Sequence, residues 1–151
     1  MKRFLLLGGL LLLVAAGLAW WQRGAIALWA YGAGAARAVG RDAMRALPDG
    51  LHAGFCGTGS PLPDPERNGP CLAVVAGGRL FVVDAGEGAA KGLARLGFPA
   101  GRVEALFLTH FHSDHVDGLG ALMLQRWVGG AATAPLLLIG PAGVEAIAQG
   151  F

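Results

Sequence analysis

The sequence predicts an α/β fold of the layered α+β type, preceded by an apolar N-terminal helix. Three observations lead there. Residues 4–21 run without a charge behind Lys2-Arg3. From residue 51, short apolar runs alternate with glycine and proline turns, the punctuation of β-strands. From Val103, one such run leads through a histidine-rich string into an apolar pattern of helical period. Composition agrees with a folded chain. Its 151 residues suffice for one modest domain, with 54% apolar and 15% charged residues, which excludes disorder as the bulk state. The 26 glycines follow no three-residue period, and two cysteines cannot build a disulfide-dense scaffold or a four-cysteine zinc module.

Residues 1–23 read as a signal-anchor or a signal peptide. FLLLGGLLLLVAAGLAWW is 18 residues long, at the lower edge for crossing a bilayer core of about 30 Å. Trp20 and Trp21 close it where aromatics favour the membrane interface. Cleavage near Ala15–Ala19 is one reading; an uncleaved anchor is preferred, because the run exceeds an ordinary signal core. Lys2 and Arg3 then keep the N-terminus cytoplasmic and put the body outside the cytoplasm, anchored to the inner membrane or exported to the periplasm. Residues 24–50 read as a juxtamembrane helix and linker. Arg37, Arg41 and Arg45 recur every four residues on one face, suited to acidic headgroups or equally to solvent. Pro48-Asp49-Gly50 stops the helix.

Residues 51–151 form the body. Leu51–Cys56 reads as a strand entering the Gly57-Thr58-Gly59 turn, and residues 60–70, with four prolines, as a loop. Cys71–Ala76 and Leu80–Val83 read as a hairpin about Gly77-Gly78. Ala89–Leu96 reads as a short helix ended by Gly97 and Pro99. Val103–Thr109 reads as a strand, Val116–Trp127 as a helix with Trp127 on its core side, and Leu136–Ile139 as a last strand. Val144, Ile147 and Phe151 open a helical pattern on which the sequence ends, and the chain is read as truncated there. Cys56 and Cys71 end one strand and begin the next. Two buried thiols are the preferred reading; a disulfide is the alternative if those strands are antiparallel neighbours.

The chemistry concentrates in Thr109-His110-Phe111-His112-Ser113-Asp114-His115, which holds three of the chain's four histidines and a carboxylate. Alternation along a strand puts His110 and His112 on one side. Neutral imidazoles suit Zn²⁺, and Asp114 and His115, displaced by the turn into the helix, can face a second ion. Mn²⁺ or Fe would accept the same donors. His52, alone, reads as structural. Gly57-Thr58-Gly59 could bring backbone N–H groups near a phosphate, but lacks the Lys-Ser/Thr of a P-loop.

THFHSDHVDGLG resembles the signature of the metallo-β-lactamase superfamily. GTGSPLPDPERNGP at 57–70, LFVVDAGEG at 80–88 and the helix beginning DGLGALMLQRW fit the branch of ribonuclease Z and related phosphodiesterases and arylsulfatases. The resemblance implies an αββα sandwich, here its N-terminal half, with a two-metal site at the sheet edge. It implies His110 and His112 on a first metal, Asp114 and His115 on a second, and Asp114 also as general base. Asp84 would orient the site with Thr109 beside it, or equally accept bonds from the turn at residues 86–88. Family members supply a further His, a bridging Asp and a last His, whereas no histidine follows His115 here.

The expected function is a metal-dependent hydrolase, in which metal-bound hydroxide attacks a phosphoester, sulfate ester or similar bond. The alternative is an inactive fragment or a non-catalytic metal-binding remnant, and the chain alone is expected to be weakly active. The expected partners are a small-molecule ester substrate and a membrane at residues 4–21. Nucleic acid is expected to be an unlikely partner. Residues 1–47 carry a net charge of +5 and residues 48–151 carry −3, which argues against a nucleic-acid surface on the body. Neither substrate nor oligomeric state is legible.

Overall fold

Strand-forming runs and glycine turns build one mixed sheet, and its parallel half carries the histidine string. In the computed structural model, which describes residues 2–39, 42–131 and 133–151, the strands are β1 (Leu51–Gly57), β2 (Cys71–Ala76), β3 (Arg79–Val83), β4 (Val103–Phe107) and β5 (Leu137–Ile139). They lie in sequence order. β1–β2 and β2–β3 are antiparallel, whereas β3–β4 and β4–β5 are parallel. The β2–β3 hairpin closes through Gly77 (φ 55°) and Gly78 (φ 73°), as the two-glycine signal predicts. A parallel pair needs a crossover, and the α-helix Ala89–Leu96 between β3 and β4 supplies it.

The chain divides into two compact units, Met1–Gly40 and Arg41–Phe151. The first holds α1 (Lys2–Trp21) and α2 (Arg23–Val39). Arg23 donates to the Trp20 carbonyl at 3.1 Å, and its guanidinium lies 4.5 Å over the Trp20 ring. Among the described residues no single helix is long and apolar enough to cross a membrane. Leu11–Trp21 and Arg23–Gly34 reach that measure only together, as a pair bent by 70°. The single spanning helix expected over residues 4–21 is thus not supported. The long helix expected over 24–47 is divided: α2 ends at Val39, and Ala43–Ala46 form one separate turn whose Met44 is buried.

In the second unit, one sheet face packs on α3 (Ala89–Leu96), α4 (Ser113–Val116) and α5 (Leu119–Arg126). Alternation explains which residues go inside: Cys71, Ala73 and Val75 of β2 are buried while Leu72, Val74 and Ala76 are half-exposed. Leu80, Leu93, Leu106, Leu119 and Leu122 are fully enclosed, each contributing about 1.5–3 kcal/mol relative to exposure. α6 (Val144–Gly150) packs Val144 and Ile147 against the same core. The other face shows Leu51, Phe55 and Leu137 to solvent, with the Phe81 and Phe107 rings edge to face at 6.3 Å. Among the described residues there is this one sheet, and the second sheet implied by an αββα sandwich is not among them.

The helix expected over 116–127 is broken at Asp117-Gly118 into α4 and α5. Trp127 is 61% exposed, not core, because Trp127–Ala131 leave α5 in a wider turn that Gly130 (φ 101°) ends.

Candidate metal centre

The site lies where β3 and β4, neighbouring parallel strands, both end, the edge at which open α/β sheets bind ligands. Asp84 follows β3. Its φ of 59° is unusual for a residue with a Cβ, and Asp and Asn tolerate it best. The bend turns a carboxylate that is only 6% exposed across to β4. Asp84 Oδ1 accepts the Thr109 amide at 2.8 Å, and the Thr109 hydroxyl lies 3.0 and 2.8 Å from the two carboxylate oxygens. Thr109 Oγ1 is also 3.0 Å from His110 Nδ1. Asp84 therefore reaches His110 through one hydroxyl.

It reaches His115 directly. His115 Nδ1 lies 2.8 Å from Asp84 Oδ2, and is buried without a well-aligned hydrogen bond. The opposite nitrogen, Nε2, is 3.6 Å from Asp114 Oδ2. The segment is anchored through its backbone: Ala85 donates to the His115 carbonyl at 2.9 Å, and Gly118 to the Ala85 carbonyl at 2.8 Å. Only glycine fits at 86, where a Cβ would strike the Asp114 carbonyl, and at 118, where it would strike the Gly86 carbonyl. That long-range contact is what breaks the helix at 117–118.

The donor chemistry fits a divalent ion such as zinc. Two donors on one ion, each about 2.1 Å from it in tetrahedral array, stand about 3.4 Å apart, close to the 3.6 Å between His115 Nε2 and Asp114 Oδ2. An imidazole fixed by a carboxylate on its far nitrogen is the usual support for such a ligand. The full expected set of His110, His112, Asp114 and His115 is not gathered. Among the described residues no group of three or more His, Cys, Asp or Glu stands ready to hold an ion. Within the string His110 meets His112 edge to face at 4.5 Å and His115 at a tilt at 4.1 Å.

Beside Asp114 opens a cavity of 110 Å³, lined by Ser60, Asp64, Arg67, Glu87, Asp114 and Asp117 among others. Its outer wall is the proline-rich loop, held in shape by Asp64 Oδ1 accepting the Glu66 and Arg67 amides at 2.8 and 3.2 Å. Sequence reasoning missed this wall, since nothing local says which element the loop packs on. It also favoured free thiols, whereas Cys56 and Cys71 are joined in a disulfide. The unpredicted signal was a β-bulge that puts Gly57, not Cys56, opposite Cys71.

Comparison with known proteins follows the same residues. The family model of the metallo-beta-lactamase superfamily matches residues 64–149. Ribonuclease Z of Mycobacterium marinum is 46% identical over 101 residues, 63% of this chain and 36% of that protein. Ribonuclease Z of Mycolicibacterium gilvum is 45% identical over 95 residues, 62% of this chain and 33% of that protein. This chain thus spans about a third of the length of these relatives. Among solved structures, the short form of human tRNase Z superposes with a TM-score of 0.58 at 30% identity, covering 65% of this chain and 38% of that one. The metallo-beta-lactamase fold protein YhfI of Bacillus subtilis, at 24% identity and a TM-score of 0.57, covers 68% and 41% and shows the fold alone.

These relatives overturn the expectation that nucleic acid is an unlikely partner. The charge argument failed because net charge does not describe a site: several of the acids that make the body negative, including Asp64, Glu87, Asp114 and Asp117, line a cavity beside the histidine string. By the family match, which spans more than half its length, the chain belongs to the metallo-beta-lactamase superfamily.

Proposed function

We propose that this chain carries the histidine-rich part of a metal-dependent phosphodiesterase that acts on RNA, in the manner of ribonuclease Z. The observation that carries the reading is His115 of α4, with one nitrogen against buried Asp84 at the end of β3 and the other facing Asp114. The 46% identity to a ribonuclease Z over this region supports the substrate class.

In this reading His110 and His112 hold one ion and Asp114 and His115 another, with Zn²⁺ the natural choice for mixed imidazole and carboxylate donors. When bound, such ions polarise the phosphoryl group and acidify water toward neutrality. The chain's own residues do the rest. Asp84 fixes the His115 ring and, through Thr109, the His110 ring. Asp114, which lines the cavity, accepts the proton of the attacking water. Arg67, whose Nε lies 3.6 Å from Asp64 Oδ2, lines the same cavity and would meet a phosphate oxygen there.

The test is zinc titration of the chain together with cleavage of a labelled single-stranded RNA. The reading expects zinc binding that His115→Ala weakens at least tenfold, and RNA cleavage that Asp114→Asn lowers at least a hundredfold. Zinc bound equally by the His115→Ala chain, or cleavage indifferent to zinc, would sink it. A second reading is metal binding by Asp114 and His115 without catalysis, carried by the 3.6 Å between their facing donors. Zinc binding with no RNA turnover selects it.

A further inference from the structure

We propose that the Cys56–Cys71 disulfide is a positioning clamp for loop 57–70, the wall of the cavity beside Asp114. The bond sits where the β1–β2 ladder ends. Phe55 pairs with Leu72 and Gly57 with Cys71, so Cys56 is the bulged residue left over, and its Cα stands 5.0 Å from that of Cys71. Both cysteines are 3% exposed. The strands below are already joined by backbone hydrogen bonds. What the bond fixes in addition is the mouth of the loop, where that ladder gives out.

From this mouth the contacts run to the site without a gap. Asn68 Nδ2 donates to the Cys56 carbonyl at 3.1 Å, and the Gly59 amide to the Asn68 carbonyl at 2.7 Å. The loop then crosses to the turn after β3: the Gly69 amide donates to the Glu87 carbonyl at 2.9 Å, and the Gly86 amide to the Pro70 carbonyl at 3.0 Å. A Cβ on Gly69 would stand 2.8 Å from the Glu87 nitrogen and 3.1 Å from the Asp114 carbonyl. Loop, turn and Asp114 are thus in backbone contact, with no side chain between them to absorb a shift. Pro70, next to Cys71, receives the bond from Gly86, and Gly86 lies against Asp114. Opening the clamp moves Asp114 and the cavity wall before it moves the sheet. Disulfides persist in oxidising compartments, so the clamp is closed when the chain folds in one.

The proposal does not depend on the phosphodiesterase reading; only its zinc arm does. The first measurement is a count of free thiols in the denatured full chain without reductant. None are expected, and two would overturn the proposal. The second compares amide hydrogen exchange in the wild-type chain and in Cys56→Ala/Cys71→Ala. Exchange at Gly59, Gly69 and Gly86 should quicken at least tenfold, while Val82 within β3 keeps its protection. No change, or equal acceleration everywhere, would overturn the clamp. If the alanine pair does not fold, Cys56→Ser/Cys71→Ser is used; a chain that folds in neither form carries the bond as a general staple, and the proposal fails. The third measurement is the zinc dissociation constant, expected to rise at least tenfold in the folded variant. If wild-type zinc binding is absent but the exchange pattern holds, the metal reading falls and the clamp stands. If wild-type affinity is measurable and the variant's is unchanged, the clamp does not reach Asp114 and the proposal is overturned.

Discussion

Asp84 Oδ2 and His115 Nδ1 lie 2.8 Å apart, joining the end of β3 to α4. A buried carboxylate on one imidazole nitrogen selects which nitrogen is left to face outward. Here Nε2 faces Asp114. Asp84 thus touches His115 directly and reaches His110 through the Thr109 hydroxyl.

Asp84→Asn should therefore lower zinc affinity by roughly 10–100-fold, the usual cost of losing a ligand's supporting carboxylate. Asparagine also accepts the positive φ at this position, so the fold should persist. Circular dichroism beside a zinc titration checks both halves. Loss of fold with unchanged metal binding per folded molecule would make Asp84 a structural residue only.

Thr109→Val keeps the shape and removes the hydroxyl. The one O–H shared by the Asp84 oxygens is lost, and His110 Nδ1 loses its neighbour. Urea unfolding should show a loss of about 1–2 kcal/mol. The zinc titration should show a smaller loss than Asp84→Asn, because the direct contact to His115 remains.

Gly86→Ala places a methyl against the Asp114 carbonyl and the backbone at 69–70. Backbone cannot step aside as a flexible side chain can. The unfolding midpoint should report a loss of about 1–3 kcal/mol, and the metal titration a loss of affinity out of proportion to it. Gly77→Ala makes a useful contrast: its φ of 55° is strained for alanine, but its Cβ meets nothing within 4 Å. It should cost stability and spare zinc affinity.

Leu106→Ala empties a fully enclosed position between the sheet and its helices. Large-to-small changes of this kind cost about 2–5 kcal/mol. Denaturant unfolding of the chain should fall in that range. A loss under 1 kcal/mol would mean that this core is not packed as described.

Much of this molecule is legible in its sequence because the deciding interactions are local. The Gly77-Gly78 turn, the alternation in β2 and the stop at Gly97 (φ 74°) each rest on the conformations of a few neighbouring residues. The histidine string is legible for a different reason, since the donors are contiguous. What sequence could not supply are the contacts made at distance. The break at Asp117-Gly118 comes from the turn at Ala85 and Gly86, more than thirty residues earlier. The Cys56 bulge depends on register against β2. The edge-to-face and tilted contacts of His110 with His112 and His115 follow from how turn and helix meet. Trp127 had helical period on its side, but period cannot tell where α5 stops.

The most direct test of the metal centre is zinc stoichiometry by native mass spectrometry on the full chain and on His115→Ala. Zinc is expected on the wild-type chain, lost when the protein is denatured, and at least tenfold less on His115→Ala at the same free zinc. Equal zinc on both chains would contradict it, because the residue held between Asp84 and Asp114 would then not be a ligand.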